Sequence, residues 1–373
     1  MPGLVVFHQS AELYGSDFTI FQLIRFISER RSDIEIKLII PSYGPLVKLV
    51  EPYCEVIISD VVKVERSNFK LSYLVKLPFI LLGRLFFLKK LTSNFDGKFV
   101  VYNNTMAVLG SFYYGLFYRN VFGHVHEIIE KPRFLALALC KVYALFNHNL
   151  IFNSHATQKW FVKNSKFRSC NAVVVHNGVN IKPILAVNRC EIHIALVGRI
   201  NEWKGHQLLL SAFHELTSDY NNIFLDFYGD VYSGKDAVKK ALVEYVEANN
   251  LYSKVKFHGF VERQDFWAEI DILVVPSTEP EPFGMVAIQG MANKIPVVVS
   301  NHGGLSEIVT DDTGVLFSPG NHSELVRRLK ELIDSPGSRK SIGNAGYCRV
   351  LTNFSEEAYG NKILSLLEEY LDD

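Results

Sequence analysis

Short β-branched and aromatic runs alternate with stretches of helical period along almost the whole chain. In the first half the strand candidates are Leu4–His8, Ile34–Ile40, Glu55–Asp60, Lys98–Asn103, Val121–His126, Asn149–Asn153 and Ala172–His176. The rhythm restarts at Glu191–Gly198 and continues through Ile223–Gly229, Lys254–His258, Ile272–Pro276, Pro296–Ser300 and Gly314–Phe317. Near-continuous apolar runs of this length, separated by helical segments, are the pattern of strands buried on both faces of a parallel sheet. The chain has 373 residues, and single cores rarely grow past roughly 250–300. Two doubly wound α/β domains are therefore expected, with a boundary near Asn180–Asn188, where Ile181-Lys182-Pro183 interrupts the pattern.

The segment richest in chemistry follows the apolar run Ile272–Ser277. It reads Glu281-Pro282-Phe283-Gly284-Met285-Val286-Ala287-Ile288-Gln289, a loop carrying a carboxylate and then a helix start. The first amides of a helix lack intrahelical acceptors and sit at the positive end of its dipole, so those around Phe283, Gly284, Met285 and Val286 suit a phosphate. Gln289 lies four residues beyond Met285, about 6 Å along the axis, within reach of the next sugar of a ligand anchored there. Glu281 would face the other end of that ligand. A second candidate is Gly198-Arg199-Ile200-Asn201-Glu202-Trp203-Lys204-Gly205, which follows a strand and opens the helical pattern His206–Thr217. Arg199 can grip a phosphate bidentately and Lys204 can add a point charge.

The Glu281 segment resembles the Glu-x7-Glu signature of the family 4 retaining glycosyltransferases of bacterial surface-polysaccharide type, which have the GT-B fold, two Rossmann-like parallel-sheet domains facing a cleft. The resemblance implies that Glu281 contacts hydroxyls of the donor sugar and that Gln289 takes the place of the Glu that binds the ribose, with loss of its charge. The family also has the Arg-x4-Lys pair, here Arg199 and Lys204, on the departing diphosphate. It has a His at a strand end beside the donor sugar, here His126, followed by Glu127 as a supporting group. Further matches are Tyr14-Gly15-Ser16-Asp17, His176-Asn177-Gly178-Val179-Asn180, Phe257-His258-Gly259-Phe260-Val261 and His302-Gly303-Gly304-Leu305-Ser306-Glu307. By these, Gly15 and Asn177 are donor-binding candidates, and Gly259 passes under the nucleotide base. The family pattern divides the chain into 1–181 plus 355–373, an acceptor-side domain with a returning C-terminal helix at Glu356–Tyr370, and 182–354, the nucleotide-sugar domain.

The function so implied is transfer of a hexosyl or N-acetylhexosaminyl unit, with retention, from a UDP- or GDP-linked donor to a glycan such as a lipid-linked O-antigen or capsule precursor. Two alternatives stay open: a non-catalytic subunit of the same fold, and a nucleotide-sugar epimerase. No P-loop and no nucleophile elbow is present. Asp271 begins an apolar strand and Asp311-Asp312 sits in a turn, so a metal-independent enzyme without a cofactor is expected. Lys+Arg and Asp+Glu both number 39, which gives no global attraction to nucleic acid. Five scattered cysteines show no zinc spacing and read as reduced thiols. Met1-Pro2-Gly3 leads straight into an apolar strand, so no signal peptide is expected and a cytoplasmic protein is. The stretch 66–95 carries six basic residues and no acidic one among many Leu and Phe. It fits either peripheral contact with the inner face of the plasma membrane or a packed helix with snorkelling lysines.

Overall fold

The computed structural model describes residues 1–13, 15–62, 79–80, 82–83, 86–87, 89–109, 111–166, 171–182, 184, 189–231, 236–261 and 265–372. The stretch 66–95, singled out for membrane contact, falls mostly outside them. The chain divides into two units, Met1–Gly178 with Glu356–Asp373, and Val179–Ser355.

The first unit is built on seven strands: β1 Gly3–Phe7, β2 Glu35–Ile40, β3 Glu55–Ile58, β4 Phe99–Asn103, β5 Val121–Val125, β6 Asn149–Phe152 and β7 Ala172–Val174. Their order is β3-β2-β1-β4-β5-β6-β7, and every neighbouring pair is parallel. The chain winds outward from β1 through β2 to β3, then crosses back and continues on the other side at β4. Strands β1, β4 and β5 are buried along their whole length, which is why they read as continuous apolar runs without alternation. Helix Gly15–Arg30 covers one face, and helix Glu356–Leu371 packs beside it by burying Tyr359, Ile363, Leu364, Leu367 and Leu371. Arg25 pairs with Glu356, Arg30 with Glu357, and Arg31 with Asp33, Glu368 and Asp372. Ion pairs at or near the surface contribute about 0–1 kcal/mol each, so burial of the apolar stripe does more than these pairs to hold the helix in place.

The second unit repeats the plan with β8 Ile192–Val197, β9 Ile223–Tyr228, β10 Val255–Gly259, β11 Ile272–Val275, β12 Val297–Ser300 and β13 Val315–Phe317. The order is β10-β9-β8-β11-β12-β13, again parallel throughout. Winding reverses between β8 and β11, and ligands of open α/β sheets bind at such a reversal, beyond the carboxyl ends of the strands. Apolar clusters line both faces, one around Leu196, Leu209, Phe213 and Leu329, the other around Leu273, Ile288, Met291 and Val299. Among the described residues no helix is long and apolar enough to cross a membrane.

Three strands of the second sheet are tied by a polar clasp. Asp226 of β9 is buried and accepts from His193 Nδ1 of β8 at 2.7 Å and from His258 Nε2 of β10 at 2.6 Å. The register of β10 shifts between Phe257 and Gly259, so His258 occupies a bulge. Burial raises the Asp226 carboxyl, but the two imidazole hydrogen bonds outweigh it and hold the group below its ordinary value of 3.8. A carboxyl with a depressed folded pKa contributes stability that is present above its unfolded pKa and lost as pH falls through the folded one. Asp226→Asn is therefore expected to cost about 1.5–3 kcal/mol near neutral pH and progressively less below the ordinary carboxylate range. Chemical denaturation at neutral and acidic pH checks this, and a cost that does not change with pH would remove the clasp from the stability of the sheet.

Candidate functional site

Glu281 sits in the loop between β11 and helix Met285–Ala292 and is only 6% exposed. Two donors converge on its Oε1: Ser277 Oγ at 2.6 Å and Lys204 Nζ at 2.6 Å. The residue is fixed through its backbone as well. Its carbonyl accepts from Gly304 N at 2.8 Å, and Gly303, at φ +60°, lies so close that a Cβ there would fall 2.4 Å from that carbonyl oxygen. Only glycine permits this approach and this backbone. His302 completes the floor by donating from Nε2 to the Ser277 carbonyl at 2.8 Å. Beyond Glu281 the helix begins with Gly284 as its cap, whose carbonyl accepts from Ala287 and Ile288. The amides of Met285 and Val286 are left without intrahelical acceptors and point out of the first turn.

Lys204 reaches Glu281 because the loop after β8 is folded back on itself. Asn201 Oδ1 accepts from the Lys204 amide at 2.9 Å, and the Thr278 amide donates to the Trp203 carbonyl at 2.7 Å. Gly205, at φ +78°, passes with its would-be Cβ 2.0 Å from the Pro276 carbonyl oxygen, so the loop after β8 is pressed against the end of β11. The Lys204 ammonium lies 4.5 Å from the centre of the Trp203 ring. The sequence pattern placed Lys204 on phosphate and Glu281 on sugar as separate groups, whereas the structure joins them in one ion pair.

Arg199 is half-buried at the same edge, and its loop is anchored by Gly198 N to the Tyr228 carbonyl at 2.7 Å and Ile200 N to the Asp230 carbonyl at 3.0 Å. Gly259 ends the neighbouring β10 and accepts from Gly229 N at 2.7 Å. Gln289 is half-buried one turn into the helix of Met285. Phe283 differs from the rest: its ring is 2% exposed and packs at 6.1 Å on Phe354, so the ring is part of the core and leaves only the backbone for a ligand. Ser277, Asn201, Trp203 and His302 were not assigned roles from sequence. Ser277 was visible as a hydroxyl four residues before Glu281, and Asn201 as an Asn three residues before Lys204, a common turn-forming distance.

His126, Gly15 and Asn177 belong to the first unit, at or beyond the carboxyl ends of its strands. The His126 ring lies 3.8 Å from that of His124, and its Nε2 is buried without a hydrogen-bond partner among the described residues. Burial, and then the neighbouring His8, push His126 down to about 3, so it is neutral at physiological pH. Glu127 holds this loop by accepting from Thr105 Oγ1 and from the His126 amide at 3.1 Å. Asn177 is buried with Oδ1 lacking a partner among the described residues. Gly15 opens its helix in free space, where a Cβ would meet no atom within 4 Å, so crowding does not demand glycine there. Beside it lies a buried relay that the sequence motifs did not reveal. Asn104 Nδ2 donates to His8 Nδ1 at 3.1 Å, which leaves His8 Nε2–H to donate to Asp17 Oδ1 at 2.7 Å, and Ser10 Oγ donates to the same carboxylate.

Residues 180–349 match the family of glycosyl transferases group 1. An uncharacterized glycosyltransferase of Methanocaldococcus jannaschii is 35% identical over 180 residues, 47% of this chain and 47% of that protein. The capsular polysaccharide biosynthesis glycosyltransferase CapM of Staphylococcus aureus is 25% identical over 48% of this chain and 47% of that protein. The chain thus spans about half the length of the curated relatives it matches. Among solved structures, Anabaena HepE in complex with UDP and glucose superposes with a TM-score of 0.80 at 21% identity, over 98% of this chain and 99% of that one. Sucrose-phosphate synthase of Thermosynechococcus elongatus gives 0.78 at 17% identity, over 99% of each chain. Likeness over nearly the full length of both chains shows the GT-B fold, and the match to glycosyl transferases group 1 falls on residues 180–349, within the second unit.

Proposed function

We propose that the chain is a retaining, metal-independent hexosyltransferase that moves a hexosyl or N-acetylhexosaminyl unit from a UDP- or GDP-linked donor to a hydroxyl of a glycan. The observation that carries this reading is the Ser277–Glu281–Lys204 cluster at the start of a helix, beyond the carboxyl edge of the second sheet. Both protein donors use Glu281 Oε1, so Oε2 is the atom that would accept from a sugar hydroxyl. The Lys204 ammonium has three N–H groups, and one on Glu281 leaves others for the diphosphate. Arg199 and the Met285 and Val286 amides would share that charge, as preorganised donors do at a developing anion. His126, neutral, would donate to or accept from a hydroxyl without titrating. In the reaction the acceptor oxygen bonds to the anomeric carbon as the bond to the diphosphate oxygen breaks, on the same face, and the acceptor proton passes to the departing diphosphate. Glu281 is tied by Lys204 and Ser277, which argues against a glycosyl-enzyme intermediate on it, so retention in this reading rests on same-face attack.

The Anabaena HepE structures contain UDP, glucose and UDP-glucose, which supports a nucleotide-sugar donor. The Staphylococcus relative acts in capsular polysaccharide biosynthesis, which supports a lipid-linked O-antigen or capsule precursor as acceptor. Gln289 favours the second reading, a non-catalytic subunit, because a neutral amide binds ribose less strongly than a carboxylate.

Three outcomes are expected. A thermal-shift screen should find stabilisation by UDP- or GDP-sugars of roughly 2.7 kcal/mol at about 100 times the dissociation constant, and it should persist, with turnover, in excess EDTA. Silence toward every nucleotide sugar would discard the transferase in favour of the subunit. Arg199→Ala and Lys204→Ala should each lower turnover by about 100- to 1,000-fold; the unfolding midpoint should be little changed in Arg199→Ala and lower in Lys204→Ala, which leaves Glu281 buried without its cation, and near-normal turnover in both would remove them from the diphosphate. Gln289→Ala should weaken donor affinity by about 1–3 kcal/mol, whereas Gln289→Glu should be tolerated; affinity unchanged in Gln289→Ala would take the residue out of the site.

A further inference from the structure

The zero net charge of the chain hides a segregation. From Arg66 to Cys190 there are 17 Lys or Arg against three Asp or Glu, namely Asp96, Glu127 and Glu130, and from Lys131 to Cys190 there is no acidic residue at all. Since positive and negative residues balance at 39 each over the whole sequence, the rest of the chain carries the compensating acid. One of the three acids is itself withdrawn, because Glu127 is bound to Thr105 and backbone amides.

Helix Arg133–Phe146 lies in this acid-free region. Its inner face, Ala136, Leu139, Cys140, Tyr143 and Ala144, is buried against β5 and β6. The opposite face should then be polar, as on an ordinary surface helix. It is not: Phe134 is 71% exposed, Leu145 62% and Val142 37%, and Ala138 and Lys141 complete the stripe. Arg133 and Lys141 are the only charged residues in the helix. The stripe continues past the helix end. His148 Nε2 donates to the Gly115 carbonyl at 2.7 Å, which pins the turn Phe112–Leu116 there, and the next residues, Leu116 and Phe117, are 56% and 64% exposed. On the neighbouring helix His155–Ser165, the exposed residues include Lys159, Val162 and Lys163.

Such an apolar strip, rimmed by Arg119, Arg133, Lys141, Lys159 and Lys163, combines two demands that water satisfies poorly and one solvent satisfies well. Aromatic and aliphatic side chains favour the boundary of headgroups and acyl chains, and long basic side chains favour the phosphates beside it. An ordinary protein partner would complement the apolar strip but has no need of an acid-free span of this length. We infer that the outer face of helix Arg133–Phe146, with Leu116 and Phe117, is a docking surface for an anionic lipid bilayer. It is distinct from the stretch 66–95. It also does not depend on the transferase reading, since none of its residues belongs to the candidate site.

Co-sedimentation of the full chain with vesicles tests this, using phosphatidylcholine alone and phosphatidylcholine with about a third phosphatidylglycerol. The chain should bind the anionic vesicles, release in high salt, and bind the neutral ones at least tenfold more weakly. Phe134→Glu with Leu145→Glu should lower binding to anionic vesicles at least tenfold, and Lys141→Glu should lower it about fivefold or more, the expected loss per basic residue at a charged surface. These positions are exposed, so the unfolding midpoint should hold. Lys89→Glu with Lys90→Glu serves as the comparison for the 66–95 stretch. Failure of the unmodified chain to bind anionic vesicles would overturn the assignment, as would full binding by Phe134→Glu with Leu145→Glu. So would a dimer, seen by light scattering, that this double variant dissociates, because the face would then belong to a second copy.

Discussion

Parallel pairing of every strand in both sheets is the constraint on which the other features depend. It sends each strand's carboxyl end to the same edge of its sheet, so the loops that follow β8, β9, β10, β11 and β12 have to meet there. Arg199 follows β8, Gly259 ends β10, Ser277 and Glu281 follow β11, and His302 to Gly304 follow β12. Residues separated by about a hundred positions become neighbours because of topology rather than any local preference. The first unit obeys the same rule, gathering His8, Asn104, His126 and Asn177 beyond the ends of β1, β4, β5 and β7.

Within that frame, the Glu281–Lys204 pair sets the chemistry available. A carboxylate and an ammonium 2.6 Å apart and mostly buried would be costly to desolvate unless further hydrogen bonds satisfied them. Ser277 on the carboxylate and the Trp203 ring beneath the ammonium supply part of that compensation. Backbone contact does the rest: Gly303 and Gly205 let two loops approach closer than any side chain would allow. The result is a pair with fixed geometry and unused hydrogen-bonding capacity on both partners, which suits a ligand that bears hydroxyls at one end and phosphates at the other.

Four histidines divide by environment. His126 and His206 are each pushed to about 3 by burial with a positive or imidazole neighbour, so both are neutral at physiological pH, and among the described residues neither His126 Nε2 nor either ring nitrogen of His206 has a hydrogen-bond partner. His193 and His258 instead face Asp226 and knit three strands together. Identical side chains therefore sit neutral and unpaired in one place and tie strands together in another.

The apolar runs determined the two parallel sheets: each expected strand exists, displaced by at most two residues at either end, because strands buried on both faces have to be apolar throughout and little else in the chain is. The motif around Glu281 was also legible, since a carboxylate, a turn and a helix start are local features. The partnership of Lys204 with Glu281 was not, because nothing in the linear spacing of two residues 77 positions apart says that their loops will be adjacent; the strand order β8-β11 decides it. The same holds for the relay from Asn104 through His8 to Asp17, which needs β1 and β4 side by side, and for the core role of the Phe283 ring. The exposed apolar stripe of helix Arg133–Phe146 was hidden for the opposite reason. A helix with only two charged residues, Arg133 and Lys141, reads as mostly buried from its sequence, and only the packed unit shows which of its faces is left uncovered.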